Sequence, residues 1–210
     1  MKKILLSFMS LALVLTLGSC DLDEPNYGKT TSENFYKKQS DIKEALTGAY
    51  LQLRNTWNEY ALNFYFVGDC STDDALKGSS DGDRAEVTEL SNFTVYTTNG
   101  EVGRRWEILY RLINRCNDVI ANAPTAQGDK DLLARYEKEA KALRAFGYYS
   151  LVTTFGGVPL ITTPMQPTEI LKVPRASADA VYAQIISDLT DASTPVSYTH
   201  LRAHETVLDL

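Results

Sequence analysis

The chain has 210 residues, 44% of them hydrophobic, and a formal net charge of −6 at pH 7. That length and apolar content fit one globular domain with a real core and exclude a disordered chain. The acidic balance, without any run of Lys or Arg, excludes the electrostatic footprint of a nucleic-acid binder.

In chain order, Met1-Lys2-Lys3 is a short positive segment, and Ile4 to Leu17 carries no charge. About 14 apolar residues make a signal-peptide core, short of the roughly 20 that a spanning helix needs. Leu17-Gly18-Ser19-Cys20 resembles the bacterial lipobox, whose cysteine receives a diacylglyceryl group before cleavage. Residues 1–19 are therefore expected to be removed and Cys20 to carry the lipid, its acyl chains (palmitate among them) together holding the protein to a membrane. The stretch from Asp21 to about residue 40 is polar and turn-rich and reads as a spacer.

The first core helix is predicted over 41–54, with Ser40 as N-cap and Asp41 and Glu44 in the first turn. Ile42, Ala45, Leu46, Ala49, Tyr50 and Leu53 form its apolar stripe. Tyr60 to Phe66 is a short helix or a buried strand, and periodicity does not choose between them. A long loop follows, holding Asp69, Asp73, Asp74, Asp81 and Asp83, and a structureless stretch of that length is usually functional or mobile. Asp81-Gly82-Asp83 resembles the start of a calcium loop but lacks the remaining ligands and the closing Glu, so no metal site is expected.

A second helix is predicted over 101–122, with Trp106, Leu109, Tyr110, Ile113, Asn117 and Ile120 on one face. Asn117 on that apolar face reads as a hydrogen-bonded core residue. A third helix, 129–154, carries Leu132, Leu133, Tyr136, Ala140, Leu143, Gly147 and Leu151, with Phe146 and Tyr149 widening the stripe. Gly156-Gly157 ends it and Pro159 prevents its resumption. The two make an αα-hairpin. After an extended stretch, 158–172, Ser177 caps a fourth helix that directs Val181, Tyr182, Ile185, Ile186 and Leu189 inward. The expected class is all-α, with helical hairpins and long irregular loops.

Beyond Cys20, the two cysteines Cys70 and Cys116 either form one disulfide or remain unpaired, semi-buried thiols. Both histidines, His200 and His204, lie in the last eleven residues, and the position after His200 is Leu201 rather than the Glu of a metalloprotease helix. Val196 to Thr206 reads instead as the translation of a transposon-type sequencing adapter. The natural sequence is therefore expected to diverge near Thr194 or Pro195, leaving residues 41–195 as a truncated helical domain without histidine and residues 196–210 as artefact. Resequencing the locus tests this, and a stop codon after Leu210 in clean genomic DNA contradicts it.

Several motifs together resemble the N-terminal portion of SusD/RagB-type outer-membrane lipoproteins. They are Leu22-Asp23-Glu24-Pro25, Asn34-Phe35-Tyr36, Ala45 to Tyr50, Trp106 to Tyr110 with Ile113 to Asn117, Glu139 to Tyr149, Phe155 to Leu160, and Val173 to Leu189. The resemblance spans residues 20 to about 194, and the family's greater length implies an N-terminal fragment. It implies a tetratricopeptide-like helical fold, glycan binding by a long-loop region, and a partner, a TonB-dependent transporter of the SusC type. It also implies an outer-membrane location facing outside, for which the acids after Cys20 resemble an export signal.

Aromatic faces stack on the C–H faces of sugar rings, but Tyr50, Trp106, Tyr110, Tyr136, Phe146 and Tyr182 fall on helical stripes and read as core. The ligand candidates are those off the stripes: Trp57, Tyr60 and Tyr96, with the carboxylates of Asp73, Asp74, Asp81 and Asp83 as acceptors for hydroxyls. The expected function is a non-catalytic binding lipoprotein for oligosaccharide, without cofactor. The alternatives are a tetratricopeptide-like structural adaptor and a glycosidase, which must hold two carboxyls about 5–10 Å apart on a rigid frame.

Overall fold

A computed structural model describes residues 35–54, 60–80 and 82–194. The helices of seven residues or more are α1 Gln39–Tyr50, α2 Tyr60–Gly68, α3 Ala85–Ser91, α4 Gly100–Asn122, α5 Lys130–Phe155 and α6 Ala178–Ser193, and a single helical turn, Pro167–Ile170, interrupts the stretch expected to be extended. Among the described residues there are no strands, only two isolated bridges, Lys38 with Gln127 and Pro159 with Arg175. The all-α reading holds.

The α4–α5 hairpin is the frame, and each end of it carries a separate core. At one end Ile42, Leu46 and Ala49 of α1 pack on Leu112, Cys116 and Val119 of α4 and on Leu133, Ala140 and Leu143 of α5. At the other, Val181 and Ile185 of α6 close over Ile108, Leu109, Ile113, Tyr148 and Leu151. Each large apolar side chain buried this way contributes about 1.5–3 kcal/mol. Gly147 lets the hairpin close, since an added Cβ would meet Ile113 at 3.0 Å.

Local chemistry sets the ends. Asn99 caps α4, its Oδ1 accepting from the backbone N–H groups of Glu101 and Val102 at 3.1 Å each. Asp129 does the same for α5 and Ser177 for α6. α1 starts at Gln39, so Ser40 is not its cap; the Asp41 carboxylate reaches back to the N–H groups of Lys37 and Lys38 instead. Gly156, at φ 70°, ends α5 in the left-handed region.

Beyond α5 the chain runs as an extended strap, residues 158–166, folded back across the hairpin. A buried polar knot holds it there. Arg144, 4% exposed, donates twice to Asp188 of α6 at 2.7 and 2.8 Å, and once each to Asn117 Oδ1 and the Thr162 carbonyl at 2.8 Å. Asn117 donates to the Ile161 carbonyl at 3.0 Å, and the Tyr148 hydroxyl donates to that same carbonyl while accepting from the Ile161 N–H. Asn117 is the hydrogen-bonded core residue its position on the stripe implied.

Two parts of the sequence reading change. Only one edge of the α6 stripe is inward: Val181 and Ile185 are buried with Asp188, whereas Tyr182, Ile186 and Leu189 are exposed. Tyr50, Trp106, Phe146 and Tyr149, read as core, are also exposed. The cause is shared: a helix presents one arc of roughly 100° to its core, and stripes drawn through every large apolar residue exceed it. Cys70 and Cys116 are both buried and free, which decides between the two cysteine readings.

Candidate functional site

Two surfaces collect chemistry-bearing side chains. The first is the loop between α2 and α4, where the sequence candidates cluster. Asp73 and Asp74 are exposed on the stretch following the helical turn Asp69–Ser71, where the Asp74 N–H donates to Thr72 Oγ1 at 3.2 Å. Asp83 is exposed after a turn closed by its N–H on the Ser80 carbonyl. Among the described residues no three His, Cys, Asp or Glu side chains gather as a metal cluster. Cys20, Trp57 and Asp81 lie outside the described residues; Tyr60 opens α2.

Tyr96 stands on a turn that projects between α3 and α4, 65% exposed. Phe93, 73% exposed, lies in the same α3–α4 connection at φ 56°, a left-handed conformation a bulky residue adopts only under constraint. The constraint is visible. Asn99 donates to the Glu86 carbonyl and to Glu89 Oε2 at 2.9 and 2.8 Å, and the Thr94 N–H donates to the Glu89 carbonyl, so the base of the turn is clamped to α3. Two aromatic rings are thereby presented to solvent on an anchored support. Sequence reading missed both Phe93 and α3, whose short polar sequence offers only Val87 and Leu90 as buried anchors.

The second surface is a groove of about 1010 Å³ along the outer face of α4. Its walls are Phe35 and Tyr36 before α1, Glu44 and Ala45 on α1, and Pro159, Ile161, Ile170, Leu171 and Val173 on the strap and the turn after it. Its floor is α4, from Trp106 to Asp118. Trp106 is packed by Tyr110 at 4.8 Å between centroids and by Phe155 edge-on at 5.2 Å, yet stays 38% exposed. The Tyr110 hydroxyl donates to the Pro159 carbonyl at 2.7 Å, and burial holds its pKa above the ordinary tyrosine value, so it remains a donor that pins the strap. Tyr36, at φ 67°, faces Asp118, whose carboxyl is raised by burial against the opposing pull of Tyr36 and Arg115. Among the described residues, Asp73, Asp74, Asp83 and Tyr96 do not line this groove, and Trp106 and Tyr110, which do, read as core in the sequence.

Comparison with known proteins places the chain as a whole. Residues 22–206 match a family model, SusD-like, described as starch-binding and associating with the outer membrane. The chain is 33% identical over 193 residues to SusD-like protein P2 of Formosa agariphila, covering 90% of this chain and 37% of that protein. It is thus little more than a third of that relative's length. Among solved structures, a laminarin-binding SusD-like protein superposes with a TM-score of 0.65 at 32% identity, over 75% of this chain and 34% of the other. Surface glycan-binding protein A from Bacteroides fluxus superposes with a TM-score of 0.63 at 28% identity, over 74% of this chain and 33% of the other.

Proposed function

The chain belongs to the SusD-like family, and on that premise we propose that it is a cell-surface lipoprotein that binds glycan without turning it over. Cys20 anchors it to the outer membrane, facing outside, and it passes oligosaccharide to a TonB-dependent transporter of the SusC type. The family match along residues 22–206 carries this reading. The names of the two structural relatives, one laminarin-binding and one glycan-binding, support it.

The chemistry of the first surface agrees. Tyr96 and Phe93 offer apolar rings to the C–H faces of sugars, and their anchored turn limits the entropy lost on binding. Asp73, Asp74 and Asp83, with Trp57, Tyr60 and Asp81 from the same part of the chain, supply acceptors for hydroxyls and further stacking area. A glycosidase needs two carboxyls on a rigid frame, whereas Asp73, Asp74 and Asp83 sit exposed on loop backbone.

Affinity electrophoresis through gels containing β- and α-glucans, paired with a reducing-end assay, tests the proposal. Retardation in at least one gel with no sugar released is expected. Release of reducing ends would make the protein an enzyme, and unretarded migration in every gel, with a barrel protein co-purifying from membranes, would make it an adaptor.

A further inference from the structure

The groove along α4 has no role in that reading, and its composition is specific enough to assign one. Its charges nearly balance: Glu44, Glu107 and Asp118 face Arg111 and Arg115. A strongly charged ligand would meet as much repulsion as attraction there. A purely apolar one, such as an acyl chain, would have to desolvate five charged side chains, which is costly without replacement hydrogen bonds.

A saccharide meets both conditions, because it is neutral, has an apolar face and carries hydroxyls around its edge. Trp106 supplies the plate. Its ring is fixed by Tyr110 and Phe155, so little freedom remains to lose when a sugar lies against it. Glu107 and Arg111 supply the hydroxyl partners. They form an ion pair at 3.9 Å with side chains 68% and 53% exposed. Such a pair is worth about 0–1 kcal/mol, so exchanging it for hydrogen bonds to hydroxyls costs little. The volume, about 1010 Å³, stands at the upper end of small-ligand pockets, roughly 300–1,000 Å³, and so suits several linked sugar units better than one.

We propose that this groove is a second saccharide-binding surface, separate from the Phe93–Tyr96 turn, in which Trp106 carries a sugar ring and Glu107 and Arg111 hold its hydroxyls. It rests on the reading of the chain as a glycan binder.

The test uses the full chain labelled with 5-fluorotryptophan. The sequence holds two tryptophans, Trp57 and Trp106, so two fluorine resonances are expected, assigned from the Trp106→Phe spectrum. Whichever glycan binds by calorimetry is then titrated into wild type and into the Glu107→Ala/Arg111→Ala variant, in which the Trp106 packing is untouched. The expected result is a saturable shift of the Trp106 resonance in wild type and an affinity at this site at least tenfold weaker in the double variant. Calorimetric binding with an unmoved Trp106 resonance and an unchanged affinity in the double variant would overturn the groove and leave the function standing. No heat with any glycan would overturn both.

Discussion

Replacing Arg144 by Met removes the centre of the knot that joins α4, α5, α6 and the strap. The guanidinium is 4% exposed, and its bidentate partner Asp188 is 2% exposed. Breaking a buried ion pair from one side costs about 3–5 kcal/mol, because the remaining charge stays desolvated and unpaired. The Asn117 Oδ1 and the Thr162 carbonyl lose a donor as well, each bond worth about 0.5–1.5 kcal/mol. These groups share one network and do not add fully, so a loss of about 4–6 kcal/mol is expected. At about 2–4 °C per kcal/mol for a domain of this size, the melting temperature should fall by roughly 10–20 °C. Arg144→Met/Asp188→Leu should recover much of this, since an apolar pair in place of a buried ion pair is often neutral. Urea or thermal melts of wild type, both single variants and the double variant form a closed cycle. A single-variant loss below about 1 kcal/mol, or strictly additive effects, would refute the claim that the knot, and not the flanking apolar packing, fixes the strap.

Other expectations follow from individual sites. Gly157→Ala should destabilise by about 1–3 kcal/mol, because an added Cβ would run into the Ala176 carbonyl oxygen; an unchanged melt contradicts this. Burial pushes the Cys116 thiol up to about 12 and raises that of Cys70, so neither should react with a disulfide reagent at pH 8 until the chain is denatured. Burial also raises the Asp118 carboxyl above the ordinary aspartate range. Its contribution to stability is therefore present below that range and lost as pH rises through the folded value, so Asp118→Asn should be more stable than wild type at neutral pH and equal to it in acid. Asp41 has the opposite sign: backbone N–H donors, chiefly that of Lys38, lower its carboxyl, so Asp41→Asn should be less stable at neutral pH, the gap closing as pH falls through the lowered value. Melts across the acid range separate the two.

The hairpin was legible because α4 and α5 are long, and a helical repeat sampled over 23 and 26 residues is hard to mistake. The same period could not settle α2, whose sequence is apolar nearly all round, and it passed over α3, only seven residues long. Of the ligand candidates off the stripes, Tyr96 is exposed, and Phe93 three residues before it is more so. Trp106 was assigned to the core because it lies in register with Leu109 and Ile113, one step off the buried arc. Whether that step meets protein or solvent depends on where the strap returns, and Arg144, Asn117 and Tyr148 decide that across separations of 13 to 44 residues. No local pattern encodes such a contact.

We propose that this chain holds oligosaccharide at its surface and performs no chemistry on it. Isothermal titration of the delipidated full chain against a glycan panel, with the recovered sugar analysed afterwards by size, tests it most directly. Saturable heat with at least one glycan, returned at its original length, is the predicted result. A shortened product, or no heat across the panel, would contradict it.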